Sequence, residues 1–312
     1  MGKLACVFPG QGSQYVGMGR ELFSTPAGQE VRKTGREILG ERFVRLIEEG
    51  PEDELRRTAN TQPALLLVSI AAWRALRDAG LKADYLAGHS LGEYSAYVAA
   101  GSIGLAEALR VVRKRGELME RAVPDGAGGM AAVLGLSAEG VEEACRRAEE
   151  FGEVAPANYN CPGQIVISGR LEAVAQALIE AKQLGAKRVI PLPVSGPFHS
   201  VLMRPAAGDL SRVLGEVSWQ RPSCPVVANV DARETLEIPR LRETLVRQLS
   251  SAVLWEQSVR RMVDLGVDTF VECGPGKVLT GLAKKIAPDL NLLWVEDGVS
   301  LEKSLAYLKE SR

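Results

Sequence analysis

The chain has 312 residues, with 38 Lys and Arg against 39 Asp and Glu and a formal net charge of -1. That length can bury a large core, and the balanced charge gives no global positive field for nucleic acid. The five cysteines Cys6, Cys145, Cys161, Cys224 and Cys273 form no close-spaced pair. With no signal-peptide core and no apolar run of about 18 residues, this points to a reduced, cytoplasmic chain without a zinc site or membrane span.

In chain order, Met1 to Pro9 runs directly into a strand, followed by the loop Gly10-Gln11-Gly12-Ser13-Gln14. The loop lacks the Gly-Lys-Ser/Thr of a phosphate-binding loop, and its glycine spacing fails the dinucleotide pattern. Helices are expected over roughly 18–50. Thr61-Gln62-Pro63 reads as a cap with proline in the first turn of a helix that runs to Ala79-Gly80. Asp84-Tyr85-Leu86-Ala87 reads as a short buried strand, and Glu93 to Gly101 as a short helix with a glycine stop. This alternation is that of an α/β sheet domain. From Gly104 to Ala122, Leu105, Ala108, Leu109, Val112 and Met119 mark one helical face, and Arg115 falls on it.

Pro124 to Gly129 marks a hinge. Beyond it the order is strand (130–134), helix (138–150), strand (154–158), strand (164–168), helix (171–184) and strand (188–192). That β-α-β-β-α-β order is ferredoxin-like, a compact domain over 125–193 inserted into a larger one formed by 1–124 and 194–312. Past Pro193 the α/β character returns, with a strand over Pro225–Val230, a helical tract from about Pro239 to Leu265, a strand over Thr269–Glu272, and Gly274-Pro275-Gly276-Lys277 turning into a helix.

The chemistry centres on Gly88-His89-Ser90-Leu91-Gly92, a G-x-S-x-G pentapeptide between strand and helix. Glycines permit a tight turn that stands Ser90 at its tip, near helix N–H groups that favour developing negative charge. The alternative is an ordinary N-cap, with Glu93 closing a capping box. A nucleophilic serine needs a base, and the chain has two histidines, His89 and His199. His89 adjoins the serine on the turn, which leaves His199 as the base by elimination, its ordinary pKa near ~6.5 suited to passing a proton. Between Ser90 and His199 the one aspartate is Asp125, in the presumed hinge. A backbone carbonyl orienting His199 in a Ser-His dyad is therefore favoured over a full triad.

An inward Arg115 requires an anion or several acceptors. It either snorkels, pairs with a core carboxylate, or offers a planar bidentate cation to an acyl group bearing a free carboxylate. Serine, histidine and arginine together suggest transfer of a dicarboxylic half-ester or half-thioester.

The sequence resembles the malonyl-CoA:acyl carrier protein transacylases of bacterial fatty-acid synthesis, relatives of polyketide-synthase acyltransferase domains. The resemblance runs over essentially the whole chain. It rests on Phe8-Pro9-Gly10-Gln11-Gly12-Ser13-Gln14, Thr61-Gln62-Pro63-Ala64, Gly88 to Tyr94, Arg115-Gly116-Glu117-Leu118-Met119, Asn160-Cys161-Pro162-Gly163-Gln164, Gly196-Pro197-Phe198-His199-Ser200 and Glu272-Cys273-Gly274-Pro275-Gly276.

The resemblance implies an α/β-hydrolase-like large domain with a parallel sheet, the inserted ferredoxin-like domain, and an active site between them. It implies that Ser90 is acylated, His199 is the base and Arg115 holds the malonyl carboxylate. The backbone N–H groups of Gln11 and Leu91 form the oxyanion hole, and the main-chain carbonyl of Gln248 orients the histidine. Phe198, a bulky residue just before the histidine, accompanies malonyl over methylmalonyl preference in related acyltransferases. No metal or bound cofactor is expected. The substrates are malonyl-CoA and the phosphopantetheine thiol of holo acyl carrier protein, and the enzyme is expected to be a cytoplasmic monomer. Two positions depart from the family pattern: Ala252 stands where a proline is common before Trp255, and Tyr159 where asparagine is common before Asn160. Two rival classes remain, a serine esterase or thioesterase and a noncatalytic carrier-docking module.

Overall fold

A computed structural model describes residues 2–124, 126–194 and 196–311. Its larger sheet contains β1 (Lys3–Phe8) and β2 (Tyr85–Gly88), and its smaller one β3 (Gly128–Leu134), β4 (Val154–Cys161), β5 (Gln164–Arg170) and β6 (Arg188–Pro191). The larger sheet is completed by β7 (Val226–Val227), β8 (Glu234–Thr235), β9 (Val267–Cys273) and β10 (Asn291–Val295), in the order β10-β9-β1-β2-β7-β8. All neighbours in it are parallel except the β7–β8 edge pair, so the sheet is mixed where a parallel one is expected.

β1 is central and buried on both faces because helices cover both. Leu4, Cys6 and Phe8 point into one apolar cluster with the helix Thr58–Asp78, whereas Ala5 and Val7 join a second with Trp255 and Phe270. The period of two along the strand therefore ties two helical layers to one sheet.

The smaller sheet is antiparallel in the order β4-β5-β3-β6, the ferredoxin-like arrangement. Its helices Ala138–Arg147 and Leu171–Gln183 bury Val141, Val174 and Ala177 against Ala131 and Val133 in a separate cluster. Met130, Ala157 and Val166, from the same sheet, pack instead into the core of the large domain.

Three expectations about elements are corrected. The helix containing Thr61-Gln62-Pro63 begins at Thr58, so Pro63 lies inside it and not in the first turn. Proline has no N–H for the Ala59 carbonyl, and Arg113 Nη1 supplies the missing donor at 2.9 Å. The expected strand over 225–230 shrinks to Val226–Val227. The helical tract over 239–265 splits into Ile238–Gln248 and Trp255–Asp264. Between them the chain turns at Leu249 and Ser250 and then runs alongside the sheets: Val253 N donates to Ala157 O at 2.8 Å, Tyr159 N to Val253 O at 2.9 Å, and Leu254 N to Asn229 O at 2.9 Å. These lateral bonds stitch the two sheets together, and they need no proline at Ala252.

Candidate active site

Ser90 follows β2 at the carboxyl edge of the parallel strands, where open α/β sheets bind ligands. Its backbone is at φ 52°, ψ -106°, a strained conformation for a residue with a side chain. The flanking glycines are sterically required. A Cβ on Gly88 would lie 1.9 Å from the Gly92 carbonyl carbon, and one on Gly92 would lie 2.0 Å from Phe8 O. The capping-box reading fails, because the Ser90 side chain makes no cap bond to the helix Leu91–Ala99. Glu93 instead turns away from the cap, into the core, toward Gln248 and Asn229.

His199 sits 2.7 Å from the Ser90 Oγ through Nε2. Its Nδ1 is 2.8 Å from the main-chain oxygen of Gln248, which can only accept. Nδ1 therefore carries the ring proton, and Nε2 presents a lone pair to the serine hydroxyl. His199 is also at positive φ, 59°, so both partners of this pair are held in strained backbone. His199 is buried, and burial followed by the Arg115 charge pushes its pKa down to about 3, well below the ordinary value expected from sequence. It is a neutral acceptor throughout the neutral range.

Arg115, in the helix Leu105–Arg121, is 1 % exposed and does not snorkel. Its Nη2 donates to Ser90 Oγ at 3.2 Å and to Gln248 Oε1 at 2.8 Å, and its guanidinium lies 5.3 Å from the centre of the Tyr94 ring. Arg113, two residues earlier, points elsewhere, stacking on Phe43 and binding Ala59 and Asn60.

The loop after β1 packs against the elbow. A Cβ on Gly10 would come 2.4 Å from His89 O, so only glycine brings Gln11 this close. Gln11 and Leu91 both line a cavity of about 100 Å³ with Ser90, His199 and Arg115. Leu91 is the first residue of its helix, where an N–H has no intrahelical acceptor. Phe198, 5 % exposed, and the apolar side chains of Met119, Met130 and Leu192 form part of the wall. A groove of about 730 Å³, lined in part by Arg57, Arg113 and Arg121, adjoins it and shares Gln11 and Val194.

Comparison with known proteins places this geometry. The acyl transferase domain family matches residues 5–289. The malonyl CoA-acyl carrier protein transacylase of Bacillus subtilis is 47% identical over 312 residues, covering 99% of this chain and 98% of the relative. The chain belongs to the malonyl CoA-acyl carrier protein transacylase family. Among solved members of that family, the acyl-carrier-protein-S-malonyltransferase of Bartonella henselae superposes with a TM-score of 0.96 at 44% identity, over 99% of this chain and 100% of the other. A malonyl-transacylase in complex with its type II PKS acyl-carrier protein superposes with a TM-score of 0.95 at 43% identity, over 98% and 99%.

Within this transacylase-family fold, the seven residues singled out from sequence, Gln11, Ser90, Leu91, Arg115, Phe198, His199 and Gln248, come together at one place. Asp125 lies outside the described residues. Two residues escaped the sequence reading. Asn229, just beyond β7, accepts the Ser90 N–H on Oδ1 at 2.7 Å and donates from Nδ2 to Gly88 O at 2.7 Å, clamping both sides of the elbow. Glu93 accepts from Asn229 N at 2.9 Å and from Gln248 Nε2 at 2.8 Å. Its S-x-x-E spacing was visible in the sequence but pointed to a cap; Asn229 carried no local signal. His89 is tied to the smaller sheet, its Nε2 2.8 Å from Asn160 Oδ1 on β4. Among the described residues, no group of three or more His, Cys, Asp or Glu is placed to hold a metal ion, and no helix is long and apolar enough to cross a membrane.

Proposed function

We propose that the chain transfers the malonyl group of malonyl-CoA to the phosphopantetheine thiol of acyl carrier protein through a malonyl-Ser90 intermediate. The observation that carries this is the 2.7 Å Ser90–His199 contact with the Arg115 guanidinium 3.2 Å from the same hydroxyl. Nucleophile, base and carboxylate receptor share a cavity of about 100 Å³.

The malonyl carboxylate docks on Arg115 and brings the thioester carbon to Ser90. As Oγ attacks, His199 Nε2 takes its proton, and the imidazolium is held by the Gln248 carbonyl at Nδ1. The tetrahedral oxyanion is received by the Gln11 and Leu91 amides. Collapse breaks the C–S bond, and the departing CoA sulfur takes the proton from Nε2. In the second half-reaction the carrier thiol gives its proton to His199 and attacks the malonyl ester. Collapse then returns the proton to Ser90 Oγ, which completes a ping-pong cycle. Substrate binding also prepares the base. A carboxylate neutralising Arg115 removes the charge that, after burial, most depresses His199.

The dyad, its orienting carbonyl and Arg115 all come from one chain, which supports a monomeric enzyme, and the separate apolar cluster of the smaller sheet supports residues 125–193 as a unit inserted between 1–124 and 194–312. The decisive experiment is intact-mass analysis after mixing with malonyl-CoA. A malonyl adduct is expected on the wild type and none on Ser90→Ala. Persistence of the adduct in that variant defeats the assignment, and rapid release of free malonate without a thiol acceptor marks a hydrolase.

A further inference from the structure

Glu93 lies three residues after Ser90 and is completely buried. An ionised carboxylate in such a place requires compensation. Here it comes from the Asn229 backbone N–H and from one side-chain amide that links the carboxylate to a cation. Glu93 Oε2 accepts from Gln248 Nε2 at 2.8 Å, and Gln248 Oε1 accepts from Arg115 Nη2 at 2.8 Å. The amide turns its donor to the anion and its acceptor to the cation, an orientation that a flip would make unfavourable at both ends. The same glutamine receives His199 Nδ1 on its main-chain oxygen, and Glu93 also holds Asn229, which clamps Ser90.

We propose that Glu93 is a positioning residue whose charge, relayed through the Gln248 amide, sets how tightly Arg115 holds the substrate carboxylate. This rests on Arg115 receiving that carboxylate, as argued above. Without substrate, ionised Glu93 balances Arg115. A bound malonyl carboxylate adds a second anion around one cation, and protonation of Glu93 restores the balance. An acetyl group creates no such excess.

The surroundings permit that proton uptake near neutrality. Burial pushes Glu93 up to about 7, opposed by its bonds to Asn229 and Gln248; Asp231 raises it slightly and Arg115 lowers it. Asp231 is paired with Arg240. Tyr94 and Tyr97, which also face Glu93, are held neutral, their pKa values raised mainly by burial. A malonyl carboxylate on Arg115 drives Glu93 further upward.

The test is the ratio of kcat/KM for malonyl-CoA to that for acetyl-CoA, measured from pH 6 to 8.5. The CoA phosphates titrate alike in both substrates and cancel. In the wild type the ratio is expected to fall as pH rises through about 7. Glu93→Gln keeps the shape and the acceptor but removes the charge, so its ratio stays flat and exceeds the wild-type value at pH 8.5 by about threefold to tenfold. Glu93→Asp keeps the charge and therefore the pH response. A Glu93→Gln ratio that follows the wild-type curve overturns the proposal. A measurement on the wild type needs no variant: in weak buffer at pH 7.5, forming the malonyl-enzyme takes up protons and forming the acetyl-enzyme does not. Equal uptake with both substrates also overturns it. If Arg115→Ala retains its preference for malonyl over acetyl, the fault lies instead with the Arg115 assignment.

Discussion

Arg115 Nη2 stands 3.2 Å from the Ser90 Oγ, so the buried cation touches the nucleophile itself before any substrate is present. A substrate carboxylate drawn to this guanidinium is thereby brought within an acyl chain's length of the attacking oxygen. In the proposed mechanism, recognition and reaction share one donor group.

Replacing Arg115 with Ala therefore removes a buried partner from a charged substrate, a loss of about 2–5 kcal/mol, or about 30-fold or more in kcat/KM for malonyl-CoA. Acetyl transfer, which places no anion there, is expected to be retained or improved. Steady-state assays with both thioesters check this, and equal losses for the two would show that Arg115 serves structure alone.

The acid limb of acylation should lie far below the ordinary histidine value, because burial and Arg115 hold His199 at about 3. With acetyl-CoA as substrate, the wild-type rate is expected to hold down to about pH 5. In Arg115→Ala the limb should move upward. An unchanged limb in the variant contradicts the proposed influence of the guanidinium.

Stability should respond to pH through two opposing buried groups. Unfolded His199 carries a proton below its ordinary 6.5 that the folded form lacks down to about 3, so its contribution is full above 6.5 and lost as pH falls. Folded Glu93 keeps a proton up to about 7 that the unfolded chain sheds above its ordinary 4.5, so its contribution is full below 4.5 and lost as pH rises. From 4.5 to 6.5 the two slopes cancel. Glu93→Gln removes one of them, and its unfolding free energy should rise with pH more steeply than the wild type's by about 1.4 kcal/mol per unit in this window. Urea unfolding at several pH values measures the difference; parallel curves would contradict it.

Phe198→Ala should enlarge the cavity beside the substrate's alpha carbon. Methylmalonyl-CoA is then expected to gain on malonyl-CoA by about 1–3 kcal/mol, the worth of one methyl in an apolar pocket. Competition assays report the ratio directly, and an unchanged ratio would mean that another wall of the cavity excludes the methyl.

Asn229→Ala leaves the Ser90 N–H and the Gly88 carbonyl without their partner. Each buried orphan costs about 1–3 kcal/mol, and the strained elbow loses its clamp. Lower stability by urea unfolding together with reduced acylation in a fully folded sample is the expected pattern. Wild-type acylation in that sample would show that the elbow holds itself.

The chain's own sequence determined what local sterics and periodicity dictate. Two glycines that admit no Cβ announced the serine turn, the apolar stripe on 105–119 turned Arg115 inward, and the strand and helix periods of 128–192 gave the ferredoxin-like order. Tertiary structure alone decided what depends on distant backbone. Residues 249–254 look helical in isolation, yet Leu249 and Ser250 form a turn and Val253 and Leu254 are held by bonds to Ala157, Tyr159 and Asn229, and that break leaves the Gln248 carbonyl at the end of its helix, facing His199. Glu93 fits a cap by spacing and is drawn inward because Gln248 and Asn229 offer it buried donors. Hydrogen bonds between segments distant in the chain have no local period to betray them, so the serine was legible in the sequence and the network that holds it was not.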